Sequence, residues 1–139
     1  MTTPAHGTFQ VNIIPQITEE KTESRTPLGR MLIEKQFQGD LAATSRGQML
    51  TGMTEVKGSG VYVAVEWVSG TLHGRSGAFI LYHLGLMVRG VPQLTVSVVP
   101  DSGTGNLAGI AGTMNIIIAD GKHSYDFAYT LPAEQTVQA

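Results

Sequence analysis

The residues best placed to do chemistry are Glu66 and His83, both inside the stretch GVYVAVEWVSGTLHGRSGAFILYHLGLM (60–87). A carboxylate touching an imidazole in an apolar setting is an acid–base unit, because burial and pairing can bring either group's pKa near neutrality. Such a pair suits proton transfer beside a carbonyl, or an isomerisation. Whether the two meet depends on the turn between them. His73-Gly74 is the natural place: histidine tolerates positive φ better than most residues, and glycine adopts it freely. That register sets Glu66 opposite Leu81. His83 is then the diagonal neighbour on the same face, at roughly 7–8 Å between backbones, a gap that long side chains close. Tyr62 and Phe79 share the face. The plainer use of the same geometry is a Glu and a His that satisfy each other inside a barrel, or that stand in solvent if a bulge shifts the register by one residue. A structural pair and contact with a bound ligand are both preferred to catalysis.

Other polar residues carry less. Arg46 either neutralises a ligand carboxylate or pairs with Asp40 across a loop, and the pairing is preferred. Arg75 and Ser76 read as turn and surface residues. Asn115 and Asp126 read as a cross-strand hydrogen-bonded pair. The histidines, at 6, 73, 83 and 123, lack the spacing of a zinc site, and there is no Gly-x-Ser-x-Gly, so neither a metal nor a serine nucleophile of that kind is expected. The run GTGNLAGIAG (103–112) does not have the GxGxxG spacing, and it leads into a strand-like segment rather than a helix. It reads as a turn and bulge at a barrel corner, with Leu107 and Ile110 pointing inward as plugs. No cofactor is expected.

The elements that must position these residues are strands. Strand-like segments recur at about 7–14, 31–39, 46–55, 60–72, 75–87, 93–99, 110–119 and 122–131, with turn residues between them, and no long segment has a helical apolar period. Eight strands at that spacing predict a closed antiparallel barrel in one domain spanning 1–139. A polar excursion at about 15–30, PQITEEKTESRTPLGR, and a frayed tail from about 132 flank it. Asp120-Gly121 fits a two-residue hairpin turn. It sets Asn115 opposite Asp126, Ile116 opposite Tyr125 and Met114 opposite Phe127. The strands around His73 would each be ~40 Å long if straight, so they must coil, with Gly70, Gly77 and Gly85 as bending points.

Residues 60–87 barely alternate, although a barrel wall facing water alternates apolar with polar residues. One face has Tyr62, Glu66, Phe79 and His83; the other has Val61, Val63, Val65, Trp67, Ile80, Tyr82, Leu84 and Leu86. Either face could line the lumen on composition alone. Either way the apolar band left outside exceeds what a soluble monomer shows, so self-association is expected, from dimer to tetramer.

The net charge is −2 and no window is rich in Lys and Arg, which excludes attraction to nucleic acid or anionic membranes. No apolar run approaches the ~18 residues of a spanning helix. MTTPAHGTFQ has no signal-peptide character, and the chain has no cysteine, so a cytoplasmic location is expected. Glycine is abundant, 17 of 139 residues, and falls between and inside apolar runs as barrel bends require.

Several separated motifs occur in one order: Gly39-Asp40, Glu66, Gly74-Arg75-Ser76-Gly77, His83 with Gly85, and PDSGTGNLAG from Pro100 to Gly109. In this the chain resembles the bacterial family known as domain of unknown function 3224, over about residues 7–131. That family in turn resembles the allene oxide cyclase and dirigent barrels of plants. The resemblance implies an eight-stranded, allene oxide cyclase-like barrel of lipocalin-like appearance that forms oligomers. It also favours the Glu66 face as the lumen, and it implies no activity. The segment LGLMVRGVPQLTVSVV is more apolar than the family's usual pattern.

The expected function is therefore the binding of a small amphipathic molecule in a narrow lumen. Glu66 and His83 would fix its polar end, with Tyr62 and Phe79 as walls. The alternatives are an isomerase or cyclase using Glu66 and His83 as catalytic acid and base, and a structural oligomer with a filled barrel and no ligand.

Overall fold

A computed structural model describes residues 2–16 and 27–132, and every regular element among them is a strand. The strands are β1 (Thr3–Pro15), β2 (Leu28–Gly39), β3 (Leu41–Met53), β4 (Gly60–Leu72), β5 (Arg75–Val88), β6 (Val91–Val98), β7 (Thr104–Gly105), β8 (Ala111–Ala119) and β9 (Lys122–Thr130). They run β4-β3-β2-β1-β9-β8-β6-β5 around one sheet, and β4 pairs again with β5, which closes an eight-stranded barrel. Every pairing is antiparallel. The two-residue β7 is an extra strand laid on β5.

The two turns named from sequence set the registers. His73 and Gly74 have φ of 48° and 79°, Asp120 and Gly121 of 52° and 75°. The first turn puts Glu66 opposite Leu81, and the second puts Asn115 opposite Asp126 and Met114 opposite Phe127. Burial then separates the faces. Ala64, Glu66, Val68, Phe79, Leu81 and His83 are buried, whereas Val61, Val63, Val65, Trp67, Tyr82, Leu84 and Leu86 are exposed on the chain's outer surface. The Glu66 face lines the lumen.

The lumen is filled at one end. Residues 99–110 cross that end, held by Val99 N–H and Asn106 N–H donating to the Ile80 and Ser76 carbonyls, and by Ile80 N–H donating to Ser102 Oγ. This crossing buries Leu107 and Ile110 in the same core as Leu41, Leu72, Phe127 and Tyr129. Phe79, Phe127 and Tyr129 stack in sequence at 5.8 and 5.5 Å. Tyr125 fixes the β2–β3 turn: its hydroxyl accepts from Leu41 N–H at 2.9 Å and lies 2.9 Å from the Gln38 carbonyl. Toward the other end the inward side chains emerge. Ile33, Val96 and Met114 are buried, Val11, Met31, Met49, Tyr62 and Ile116 half-buried, and then Ile13, Met53, Met87, Leu94 and Ile118 are exposed.

Three sequence expectations are corrected. β3 begins at Leu41 rather than 46, because Leu41, Ala43 and Ser45 alternate inward even though their neighbours give little hydropathy contrast. β1 and β2 extend into the expected excursion, to Pro15 and from Leu28; its middle, 17–26, lies outside the described residues, as does the tail 133–139. The corner at 103–110 holds the short β7 as well as a turn.

Candidate functional site

The alternation of β2 carries a lysine inward: Ile33, Lys35 and Phe37 are all buried, while Glu34 and Gln36 are exposed. On β3 the same alternation turns Ser45 inward. These positions converge on Glu66 of β4 and His83 of β5, and all four side chains are buried. The Glu66 carboxylate is held by three donors. Ser45 Oγ donates to Oε1 at 2.6 Å, Lys35 Nζ donates to Oε2 at 2.9 Å, and His83 Nε2 lies 2.6 Å from the same Oε2. Gly47 pairs with Glu66. A side chain at 47 would run into the Val65 carbonyl and Glu66 itself, so glycine lets β3 lie flush against that strand.

Burial by itself would raise the pKa of Glu66. The bond from His83, the charges of Lys35 and His83 and the bond from Ser45 outweigh it and bring the value down to about 2. Glu66 is therefore an anion at neutral pH, and a 2.6 Å contact with it requires the hydrogen on His83 Nε2. That leaves Nδ1 on the other side of the ring, 3.5 Å from the Tyr62 hydroxyl, a long contact. Burial, and then the Glu66 charge, push the Tyr62 hydroxyl above its usual pKa, so it stays protonated. Lys35 Nζ also lies over the rings of Phe9 and Phe37, at 4.9 and 5.7 Å from their centroids, where the ring faces attract a cation.

The geometry divides the labour. Glu66 is fully buried, ionised at neutral pH and held by three donors, and it charges and orients its neighbours. The polar valence that remains is on His83 Nδ1, the Tyr62 hydroxyl and the N–H groups of Lys35 not bound to Glu66.

Of the four residues named from sequence, Tyr62, Glu66 and His83 form one chain of contacts. Phe79 lies apart, in the filled half, packed on Phe127. Lys35 and Ser45 were missed, although a lysine in the alternating run Ile33–Phe37 is a visible signal of an inward charge. The expected Arg46–Asp40 pairing is not formed. The two are six residues apart along extended β3, roughly 20 Å at about 3.3 Å per residue. Asp40 instead accepts from His6 N–H at 2.9 Å and lies 3.6 Å from His73 Nε2. Asn115 and Asp126 do pair in register, but the Asp126 carboxylate meets His6 Nδ1, at 2.8 Å. Two concavities of about 410 and 320 Å3 lie across β1–β3, bordered by residues including Gln10, Glu34, Arg46 and Gln48; Lys35 and Ser45 also line the larger one, while Glu66, His83 and Tyr62 line neither. Among the described residues no three His, Asp or Glu side chains gather in a way that could hold a metal ion, and no helix is long and apolar enough to cross a membrane.

A family profile described as "Protein of unknown function (DUF3224)" matches residues 5–129. A solved structure of a protein of unknown function from the same family, from Shewanella oneidensis MR-1, superposes with a TM-score of 0.88. It is 43% identical, and the match covers 96% of this chain and 100% of that one. No curated protein matches.

Proposed function

The chain belongs to the DUF3224 family of proteins of unknown function, and from that premise we propose that it is a self-associating binding module that takes a small amphipathic molecule into its lumen. The observation that carries this reading is the ring of exposed, inward-facing Ile13, Met53, Met87, Leu94 and Ile118 leading down to a buried polar cluster. Exposed apolar rows on an inward face suit an apolar tail, and convergent polar groups below them suit its head. Small eight-stranded barrels can enclose one small ligand or be filled by side chains, and the exposed inward ring favours the first. Tyr62 and His83 meet the head; Glu66 holds them; Phe79 closes the floor from behind.

Self-association uses the outer face of β4 and β5. There Val61, Val63, Val65 and Trp67 stand beside Leu86, Leu84, Tyr82 and Ile80 in register. At about 6.7 Å per residue pair along a strand and about 4.8 Å between strands, the two columns cover roughly 300 Å2 before side-chain relief is counted. A stable interface needs about 800 Å2 per partner with an uncharged centre. These columns supply that centre, and a second copy supplies a matching one through a two-fold axis. The absence of cysteine suits a reducing compartment such as the cytoplasm.

Native mass spectrometry of freshly purified protein tests both parts. The reading expects a dimer or larger species carrying a small organic molecule. A bare monomer that also fails to take up an apolar fluorescent probe contradicts it.

A second reading, an isomerase or cyclase, draws on the contact chain from Tyr62 through His83 to Glu66. There His83 and Tyr62 move the proton and Glu66 acts as a positioning residue. Full turnover of a candidate substrate by a Glu66→Gln variant would eliminate it.

A further inference from the structure

The polar floor of the lumen is unbalanced in a way that selects its ligand. Glu66 brings the acceptor oxygens, and they are occupied by Ser45, Lys35 and His83. What remains is mostly donor. Lys35 Nζ is buried, makes one hydrogen bond among the described residues, to Glu66, and otherwise rests on the faces of Phe9 and Phe37. An ammonium has three N–H donors, and buried donors without acceptors are costly. Among the described residues the Tyr62 hydroxyl has one hydrogen-bond contact, the 3.5 Å one with His83. His83 Nδ1 accepts when the ring is neutral and becomes a further donor when the ring is protonated. Lys35 and His83 reach the same oxygen, Glu66 Oε2, so their remaining polar atoms lie close together.

Resting on the lumen-binding reading above, we propose that the ligand head is a carboxylate or another single anionic group, received by Lys35, His83 and Tyr62, and that its entry brings one proton to His83. The charge count gives the reason for the proton. The groups around His83 are Glu66 and Tyr62 from β4, Lys35 from β2 and Ser45 from β3, and its β6 register partner is the apolar Val96. With a neutral imidazole, Lys35 and Glu66 cancel. An anion added to that set leaves one uncompensated buried charge, which a low-dielectric site does not tolerate. Protonation of His83 at Nδ1 restores neutrality and adds a donor aimed at the incoming head. Histidine is the side chain able to make that change near neutral pH. Ligand and proton are then coupled, and each strengthens the binding of the other.

The test is calorimetric titration of the full chain with straight-chain carboxylates and with the alcohols of matching length, each in two buffers of different ionisation enthalpy. The carboxylate is expected to bind about tenfold or more tightly than its alcohol, a step of about 1.4 kcal/mol. It is also expected to take up a proton, up to one per site, and to weaken as pH rises above neutrality. A Lys35→Met variant is expected to erase most of the carboxylate's advantage over the alcohol of matching length; the comparison on the unsubstituted chain stands even if that variant does not fold. Equal binding of the two series without proton uptake overturns the anionic head and leaves lumen binding intact. Binding of neither series overturns lumen binding, and the anionic head with it.

Discussion

Tyr62 and Gly85 face each other across β4 and β5, and the Tyr62 ring occupies the space that a side chain at 85 would need. The glycine is thus what allows Tyr62 to lie across the lumen with its hydroxyl at His83. A Gly85→Ala substitution places a methyl inside the ring. The tyrosine must swing away, at a cost of about 1–3 kcal/mol for overpacking. Urea unfolding should show that loss, and the His83 ring resonances should shift as Tyr62 departs. Unchanged stability and an unchanged spectrum would mean that the ring is not seated there.

Glu66 balances Lys35 in the interior, so removing one partner is worse than removing both. Glu66→Gln leaves a buried ammonium without its counter-charge, and about 3–5 kcal/mol should be lost. Lys35→Met together with Glu66→Leu replaces the pair by apolar volume and should recover much of that. Chemical denaturation of the singles and the double measures the coupling. A double variant less stable than either single would count against an electrostatic account.

The acid limb of stability follows from the same group. Glu66 titrates at about 2 when folded, below its ordinary value of 4.5. A depressed carboxyl contributes stability that is fully present above the unfolded value and is lost as pH falls through the folded one. Stability should therefore decline between about pH 4.5 and 2, by a few kcal/mol from this group. The Glu66→Gln variant should lack this share of the decline, which melting curves across that range can read.

Trp67, the one tryptophan of the chain, is 54% exposed on the outer face. If that face pairs with a second copy, its fluorescence reports assembly: emission should be blue-shifted when concentrated and move red on dilution. Trp67→Glu should give a monomer by light scattering while changing monomer stability by no more than about 0.5 kcal/mol, as for other surface sites. An assembly untouched by the charge would place the interface elsewhere.

How much of this was legible in the sequence depended on turns. His73-Gly74 and Asp120-Gly121 fix two registers outright, because positive φ restricts the residue types there, and the Glu66–His83 diagonal follows from the first. The lumen face was not legible from composition, since Tyr62–His83 and Val61–Leu86 are both apolar rows; only closure of the barrel separates them. The start of β3 was hidden by Ala42, Ala43 and Thr44, which contrast too little to mark an alternation. Lys35 was legible and passed over, because a lone lysine in a strand is ordinarily solvent-facing. The destinations of Asp40 and Asp126 were not legible: His6 and His73, which meet them, come from distant parts of the chain brought together only by the closed sheet.

The central claim is that the barrel holds an amphiphile inside itself, tail at the exposed ring and head at the buried cluster. Intermolecular nuclear Overhauser effects between a bound straight-chain carboxylate and the protein's methyl groups test it most directly. The account predicts contacts from the chain's methylenes to Val11, Ile33, Met49 and Ile116, with the carboxylate end nearest the His83 ring. Contacts confined to the outer methyls of Val63, Val65 and Leu84 would contradict it.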